Sequence, residues 1–261
     1  MKKNVDLKKL GYERLKIKKQ RMRNLLKIAL PDEALYREIM LSLGYKNNKI
    51  QFLELAIITP YSEIKKLKNK KLIELALLHR GGFLNANGKI ENFDFSLKMD
   101  KKVWHLREVR PQNFPQNRIK QVAELLSQTI DKGIFNFFKS KIEENYFYSW
   151  GDSFIDNQKT ANKIVKRIMD FKSSIGLERK QDMFFNIFLP FYLVIYEDEQ
   201  NYKIEEFLEK LYNYHKPLSQ NSITKSVMKK LKINKINSVI EFMGLIQFYY
   251  EERKERGNEE N

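Results

Sequence analysis

The sequence predicts an all-α protein, an irregular multi-helix bundle of about ten helices that begins with a basic N-terminal helix. Three observations lead to this prediction. Apolar residues recur with a period near 3.6 along most of the 261 residues, strict alternation is scarce, and β-branched runs are short. With 42% hydrophobic residues and only 10 Gly and 6 Pro, the chain has the composition of a packed globular protein.

The first helix is predicted to run from a cap at Asp6 to about Leu30. Lys18 and Lys19 interrupt its apolar stripe. We therefore expect the first half of this helix to form an exposed arm, and the part from Met22 onward to dock on the rest of the protein.

Proline and glycine mark where the next helices begin and end. Pro31 begins a second helix, which Gly44 is expected to end in the left-handed conformation. The stretch 83–103 has the weakest periodicity and is expected to be a surface loop. Further helices are predicted over 70–80, 118–130, 132–144, 160–171, 177–197 with a kink at Pro190, 204–214, 223–231 and 238–256.

No glycine-rich or proline-rich linker indicates a domain boundary. We expect a basic helix or arm over residues 1–30, a helical domain over 31–256 and a disordered tail over 257–261.

The charge is strongly positive and unevenly distributed, with a formal net charge of +16. Residues 1–30 hold eleven basic and two acidic residues, and residues 216–235 hold six lysines and no acid. Such a field attracts polyanions, nucleic acid first, then an acidic protein or an anionic membrane surface. The alternative is that a lysine-rich composition places lysine on every solvated face without functional meaning.

A second feature is the segment from Arg107 to Arg118, which Pro111 and Pro115 hold in an extended path beside Trp104. Arginine next to stacking aromatic rings is typical of sites that bind single-stranded nucleic acid. The alternative is that the aromatic residues are core anchors and the arginines pair with nearby acids. The residues expected to bind nucleic acid are Arg14, Lys18, Lys19, Arg21, Arg23, Arg107, Arg110, Asn113 and Arg118.

A catalytic role has weaker support. The chain has no cysteine, and its three histidines are not paired at metal-ligand spacing, so we expect no metal and no cofactor. Asp32 lies in a proline-led first turn, where capping explains an acidic residue. A second candidate site is a pocket formed by His79, Trp104, Trp150 and Asp152.

The absence of cysteine and of an apolar N-terminal segment predicts a cytoplasmic protein. The longest apolar run, residues 183–196, is interrupted by Asn186 and Pro190 and is too short to cross a bilayer. We expect no association with membranes.

Four blocks of the sequence carry a resemblance to a known family. They are ALYREIMLSLGYKNNKIQFLELA (34–56), ALLHRGGFL (76–84), VRPQNFPQNRIKQVAELL (109–126) and GLI (244–246). In order and spacing they resemble the C-terminal helical part of the bacterial domain-of-unknown-function family 2851. The resemblance implies a preceding half with a nuclease-like α/β core. It implies that this chain acts as the helical partner of a separately encoded protein corresponding to that half.

These observations favour a non-catalytic protein that binds nucleic acid or acts as an accessory subunit of a nuclease-like partner. The alternative is a protein-interaction subunit that docks the separately encoded half and has no role with nucleic acid. An enzyme with an unrecognised site around His79, Arg110 and Asp152 is a lesser alternative.

Overall fold

The computed structural model describes residues 5–45, 47–107, 109–151 and 155–259, with the side chains of 149–151 and 256–259 excluded. Within these ranges every regular element is helical and no strand occurs. The all-α prediction is therefore confirmed.

The helices follow one another with short connections, except for the long loop after the fifth. They are α1 (Leu7–Leu26), α2 (Pro31–Leu43), α3 (Lys49–Ile58), α4 (Tyr61–Ile64), α5 (Lys70–Arg80), α6 (Pro115–Thr129), α7 (Gly133–Gly151), α8 (Gln158–Ile168), α9 (Leu177–Met183), α10 (Leu189–Asp198), α11 (Tyr202–Tyr214), α12 (Ser222–Leu231) and α13 (Val239–Glu259).

The chain divides into two compact units, and the division falls inside α7. Unit 1 comprises residues 1–27, 141–169 and 177–261, and unit 2 comprises residues 28–140 and 170–176. The division expected from the sequence, into residues 1–30, 31–256 and 257–261, remains a prediction. The expected tail, residues 257–261, lies partly outside the described residues, and α13 continues to Glu259.

In unit 1, α1 packs against α13, and the first half of α1 takes part in this contact. A β-carbon at Gly244 would lie only 2.0 Å from the carbonyl oxygen of Leu7, so the two backbones are in direct contact. Asp6 caps α1 as predicted, because its Oδ1 accepts hydrogen bonds from the amides of Lys8 and Lys9. The expectation that the first half of α1 forms an exposed arm is wrong. Leu15 in that half is buried, and the apolar stripe of α1 continues through the position of Lys18.

The core of unit 1 is the apolar helix α10 and the segment before it. A π-helical turn, Phe184–Phe188, joins α9 to α10. The sequence predicted a kink at Pro190, and the irregular turn ends two residues before that proline. Pro190 itself occupies the first turn of α10, where its missing N–H costs little.

In unit 2, the first turn of α2 caps two other helices. The Asp32 carboxylate accepts a 2.8 Å hydrogen bond from the amide of Phe135 at the start of α7. The Glu33 carboxylate accepts a 2.8 Å hydrogen bond from the amide of Tyr61 at the start of α4. These bonds satisfy amides that have no partner within their own helices. Capping thus accounts for both acids, although each of them caps another helix and not its own.

The end of α2 differs from the prediction. Gly44 keeps a right-handed conformation, and the left-handed residue is Tyr45, with φ of 49°. Gly44 is needed for space, because a β-carbon there would lie 2.3 Å from the carbonyl oxygen of Asn48.

Candidate nucleic-acid interface

The segment around Trp104 in unit 2 is held by a buried indole. Trp104 is 4% exposed, and its Nε1 donates a 2.8 Å hydrogen bond to the carbonyl oxygen of Gly81 at the end of α5. The ring packs against Phe52 and Phe83, with centroid distances of 5.2 and 5.1 Å. Trp104 is therefore an anchor, and its face is not available for stacking on a base.

Buried Asn48 fixes the backbone next to Trp104. Its Nδ2 donates to the carbonyl oxygen of His105 over 3.0 Å, and its Oδ1 accepts from the amide of His105 over 2.8 Å. Gln51 adds a 3.1 Å bond from its Nε2 to the carbonyl oxygen of Val103. The start of α3 thus sets the direction in which the neighbouring side chains project.

These constraints shape a cleft of about 790 Å³. It is lined by Asn47, Asp100, Lys101, Lys102, Trp104, His105, Leu106 and Arg107. We refer to it as the Trp104 cleft.

The cationic side chains of the Trp104 cleft point to solvent. Lys101, Lys102 and Arg107 are exposed, and none forms an ion pair with a carboxylate of the described residues. Asp100, an acid in the lining, uses its Oδ1 to accept a 2.8 Å hydrogen bond from the amide of Lys102. Arg110 is exposed three residues beyond Arg107. The arrangement suits an anionic ligand.

Arg118 does not belong to this surface, because its side chain is only 5% exposed. It donates 2.6 Å hydrogen bonds to the hydroxyl of Tyr45 and to Oε1 of Gln121, and it also donates to Oδ1 of Asn113. Its guanidinium lies 4.5 Å from the ring centre of Tyr45. This corrects the expectation that Arg118 and Asn113 face a nucleic acid, since both are engaged in fixing the chain before α6.

Most of the cations predicted on α1 also contact their own unit. Lys19 and Arg23 both pair with Glu197, and Lys18 donates to Asn186. Arg14 lies over the ring of Tyr250, 4.9 Å from its centre. This corrects the expectation that these side chains form an outward-facing binding surface.

The exposed cations of α1 are a different set from the predicted one. Arg21 is exposed as expected. The sequence argument missed the others, which could have been found by excluding the positions that follow Gly11 and Leu15 at helical spacing. They are Lys8, Lys9 and Lys16, with Lys27 at the C-cap.

The second candidate pocket is not assembled around His79. His79 is buried, its Nδ1 accepts a 3.2 Å hydrogen bond from the amide of Ala86, and its Nε2 donates to the carbonyl oxygen of Phe95 over 3.1 Å. Both nitrogens thus hold the loop after α5. Trp104 lines the cleft but His79 does not. Asp152 and the side chain of Trp150 lie outside the described residues.

The described part of the chain lacks the features of two other kinds of site. No group of three or more His, Cys, Asp or Glu side chains converges there to hold a metal ion. None of the described helices is long and apolar enough to span a bilayer.

The fold and the cleft define a class, an all-α basic protein with a cationic cleft between the start of α3 and the loop after α5. The chain belongs to the DUF2851 family of proteins of unknown function, whose model matches residues 1–222. No curated protein and no solved structure matches it.

Proposed function

We propose that this chain binds nucleic acid, without catalysing a reaction on it, and that the Trp104 cleft contacts the phosphate backbone. One observation carries the proposal. Three exposed cations without a carboxylate partner among the described residues project from a backbone that Trp104 and Asn48 hold fixed. A fixed frame reduces the entropy lost when a ligand is bound.

The chemistry of the cleft favours phosphate over base contacts. Lysine and arginine side chains neutralise phosphates irrespective of sequence. The aromatic ring that could have stacked on a base, Trp104, is buried against Phe52 and Phe83. We therefore expect binding with little sequence preference and a strong dependence on salt.

The test is fluorescence anisotropy with single-stranded and double-stranded oligonucleotides over a series of salt concentrations. The variant carries Lys101→Gln, Lys102→Gln and Arg107→Gln. Its matched control carries Lys65→Gln, Lys66→Gln and Lys71→Gln, which removes the same charge from exposed positions of the same unit. For the cleft variant, the slope of log K against log salt should fall in magnitude by about 0.9 for each phosphate that the protein no longer neutralises.

Two outcomes would contradict the proposal. In the first, the wild-type chain binds neither oligonucleotide at low salt. In the second, the cleft variant and the control lose the same affinity, which would assign the binding to net charge and not to the cleft.

A second candidate function, a protein-interaction subunit, rests on the outer face of α3. Ile50 and Ile57 lie two turns apart on that face and are 75% and 55% exposed. We propose this face as the docking site for a protein partner, the separately encoded protein that the family resemblance implies. Co-purification with that protein should be lost in the variant Ile50→Ser, Ile57→Ser and kept in the cleft variant.

A further inference from the structure

The lysine-rich segment that follows α11 has a structural partner in unit 1 that its sequence position does not reveal. The amide of Lys216 donates a 3.0 Å hydrogen bond to Oδ1 of Asn162, and Nε2 of Gln158 donates a 2.8 Å bond to the carbonyl oxygen of Asn237. Asn162 and Gln158 both belong to α8. The two ends of segment 216–237 are therefore tied to one helix.

Each of the helices α8 and α12 presents cations on its own exposed face. On α8, Lys159, Lys163 and Lys166 follow the spacing i, i+4, i+7, and the opposite face is buried. On α12, Lys225 and Lys229 lie one turn apart, and Lys232 follows at the left-handed C-cap. With three neighbours the set forms what we call the α8/α12 surface: Lys159, Lys163, Lys166, Arg167, Lys216, Lys225, Lys229, Lys232 and Lys235, all exposed.

Carboxylates do not neutralise the α8/α12 surface. Residues 158–168 and 216–237 contain no Asp or Glu, and none of the nine cations has an ion-pair partner in the described part of the chain. Three bordering acids are engaged with groups other than these nine cations. Glu252 pairs with Lys230, Glu241 accepts a 2.6 Å bond from the amide of Asn237, and Asp156 accepts a 2.6 Å bond from Asn157.

We propose that the α8/α12 surface is a second nucleic-acid site, one that contacts the backbone of a double helix. The inference rests on the proposed function and extends it to unit 1. A duplex carries one charge per about 1.7 Å of its axis, so a length equal to that of α8, about 16 Å, offers roughly nine or ten phosphates. Only the phosphates that face the protein can be contacted, so the nine cations of the surface are enough to neutralise them.

The side chains between the lysines distinguish a duplex from other anionic partners. Neither segment contains Phe, Tyr or Trp, so the surface offers nothing on which unpaired bases stack. Neither contributes a large exposed apolar side chain, which interfacial binding to a membrane requires. The remaining exposed residues include Ser222, Ser226 and Asn234, whose polar groups can bond phosphate oxygens.

The test uses the full chain and a double-stranded oligonucleotide of random sequence. The surface variant carries Lys163→Gln, Lys166→Gln, Lys225→Gln and Lys229→Gln. Its control carries Lys8→Gln, Lys9→Gln, Lys16→Gln and Lys27→Gln, four exposed cations of α1 and its C-cap in the same unit. Lysine and glutamine have similar helix propensities, so both variants should fold.

We expect the surface variant to lower the magnitude of the salt slope for duplex by about 0.9 for each phosphate left without a cation, up to about 3.6. We expect a smaller decrease for single strands and little change in the control variant. Equal decreases in the surface and control variants would overturn the inference. So would tighter binding to vesicles containing phosphatidylserine than to duplex.

The two proposals fail separately. If the surface variant binds duplex as the wild type does while the cleft variant does not, the inference is wrong and the proposed function remains. If the wild-type chain binds no nucleic acid, both are wrong.

Discussion

Gly11 on α1 lies in direct contact with the backbone carbonyl of Ile240 on α13, because a β-carbon at position 11 would be 2.2 Å from that oxygen. The neighbouring atom belongs to the backbone and cannot move aside as a side chain would. The contact explains how a helix with so many cations packs against another helix along its first half.

We predict that Gly11→Ala destabilises unit 1 by about 1–3 kcal/mol, because the new methyl group has no space. The gain in helix propensity of about 1 kcal/mol offsets only part of this cost. Urea denaturation measures the change. Gly176→Ala is the control, since nothing lies within 4 Å of a β-carbon there. Equal stability of the two variants would contradict the close contact.

A second prediction concerns Arg80, whose side chain is fully buried in unit 2. It pairs with Glu63 over 2.8 Å, donates to the carbonyl oxygens of Ile58 and Asp94, and lies 4.4 Å from the ring centre of Phe93. The structure shows that Arg80 joins α3, α4 and the loop after α5.

Arg80→Met should therefore lower the free energy of unfolding by about 2–4 kcal/mol, because it leaves buried carbonyls without donors. Amide hydrogen exchange of residues 86–99 should accelerate, since the loop loses its anchor. Arg37→Met removes a partly exposed i, i+4 pair with Glu33 and should change stability by no more than about 0.5 kcal/mol. Unchanged exchange in the loop would show that Arg80 is not its anchor.

The sequence predicted most helices because their amphipathic patterns are local. The predicted start of α6, Arg118, is three residues late, because Pro115 also fits the extended connection before the helix. Proline is well suited to the first position of a helix, and α6 begins at Pro115. The sequence missed the burial of Arg118 because that burial depends on Tyr45, 73 residues away. Such a contact leaves no trace in spacing along the chain.

The candidate site was predictable in part. Arg107 and Arg110 are exposed, as the charge pattern suggested. Lys18 and Lys19 were misplaced because a lysine can extend its charged end past an apolar stripe while its carbons remain in the stripe. The spacing of the lysines on α8 can be seen in the sequence. The proximity of α8 to segment 216–237 cannot, because it depends on hydrogen bonds between residues that are far apart along the chain.

A third prediction concerns acid stability of unit 2 through Glu124. Burial alone would raise the pKa of its carboxyl, but hydrogen bonds from Ser174 and Lys70 outweigh burial and hold the pKa at about 2. The Ser174 amide and hydroxyl lie 2.6 and 2.8 Å from Oε2, and Lys70 Nζ lies 2.9 Å from Oε1. Because the folded pKa is depressed, the stabilisation is complete above the unfolded value near 4.5 and is lost as the pH falls toward 2.

Glu124→Gln should remove that part of the pH dependence and cost about 1 kcal/mol at neutral pH, because the ionised acceptor is lost. Guanidinium denaturation at several pH values between 2 and 5 measures it. Glu91→Gln, at an exposed position of unit 2, is the control. A Glu124→Gln chain whose stability falls with pH as steeply as the control would contradict the assignment.

His215 gives unit 1 a pH dependence in a different range. The side chain is fully buried, and burial lowers its pKa to about 4, although a hydrogen bond to the carbonyl oxygen of Lys216 acts in the opposite direction. That bond is 2.7 Å long, and since a carbonyl can only accept, Nδ1 carries the proton of the neutral ring. The unfolded chain binds a proton near pH 6.5, so unit 1 loses stability as the pH falls from about 6.5 to about 4.

We predict that His215→Phe flattens this dependence, which for the wild type amounts to up to about 3 kcal/mol between those pH values. Phenylalanine keeps an aromatic ring against Phe185, whose centroid lies 4.7 Å away, but cannot be protonated. The measured quantity is the slope of the free energy of unfolding against pH. The missing hydrogen bond lowers stability equally at every pH and therefore leaves this slope unchanged. His105→Gln, at an exposed position, should keep the wild-type slope. If His215→Phe also keeps that slope, the buried ring of His215 is not the group that titrates.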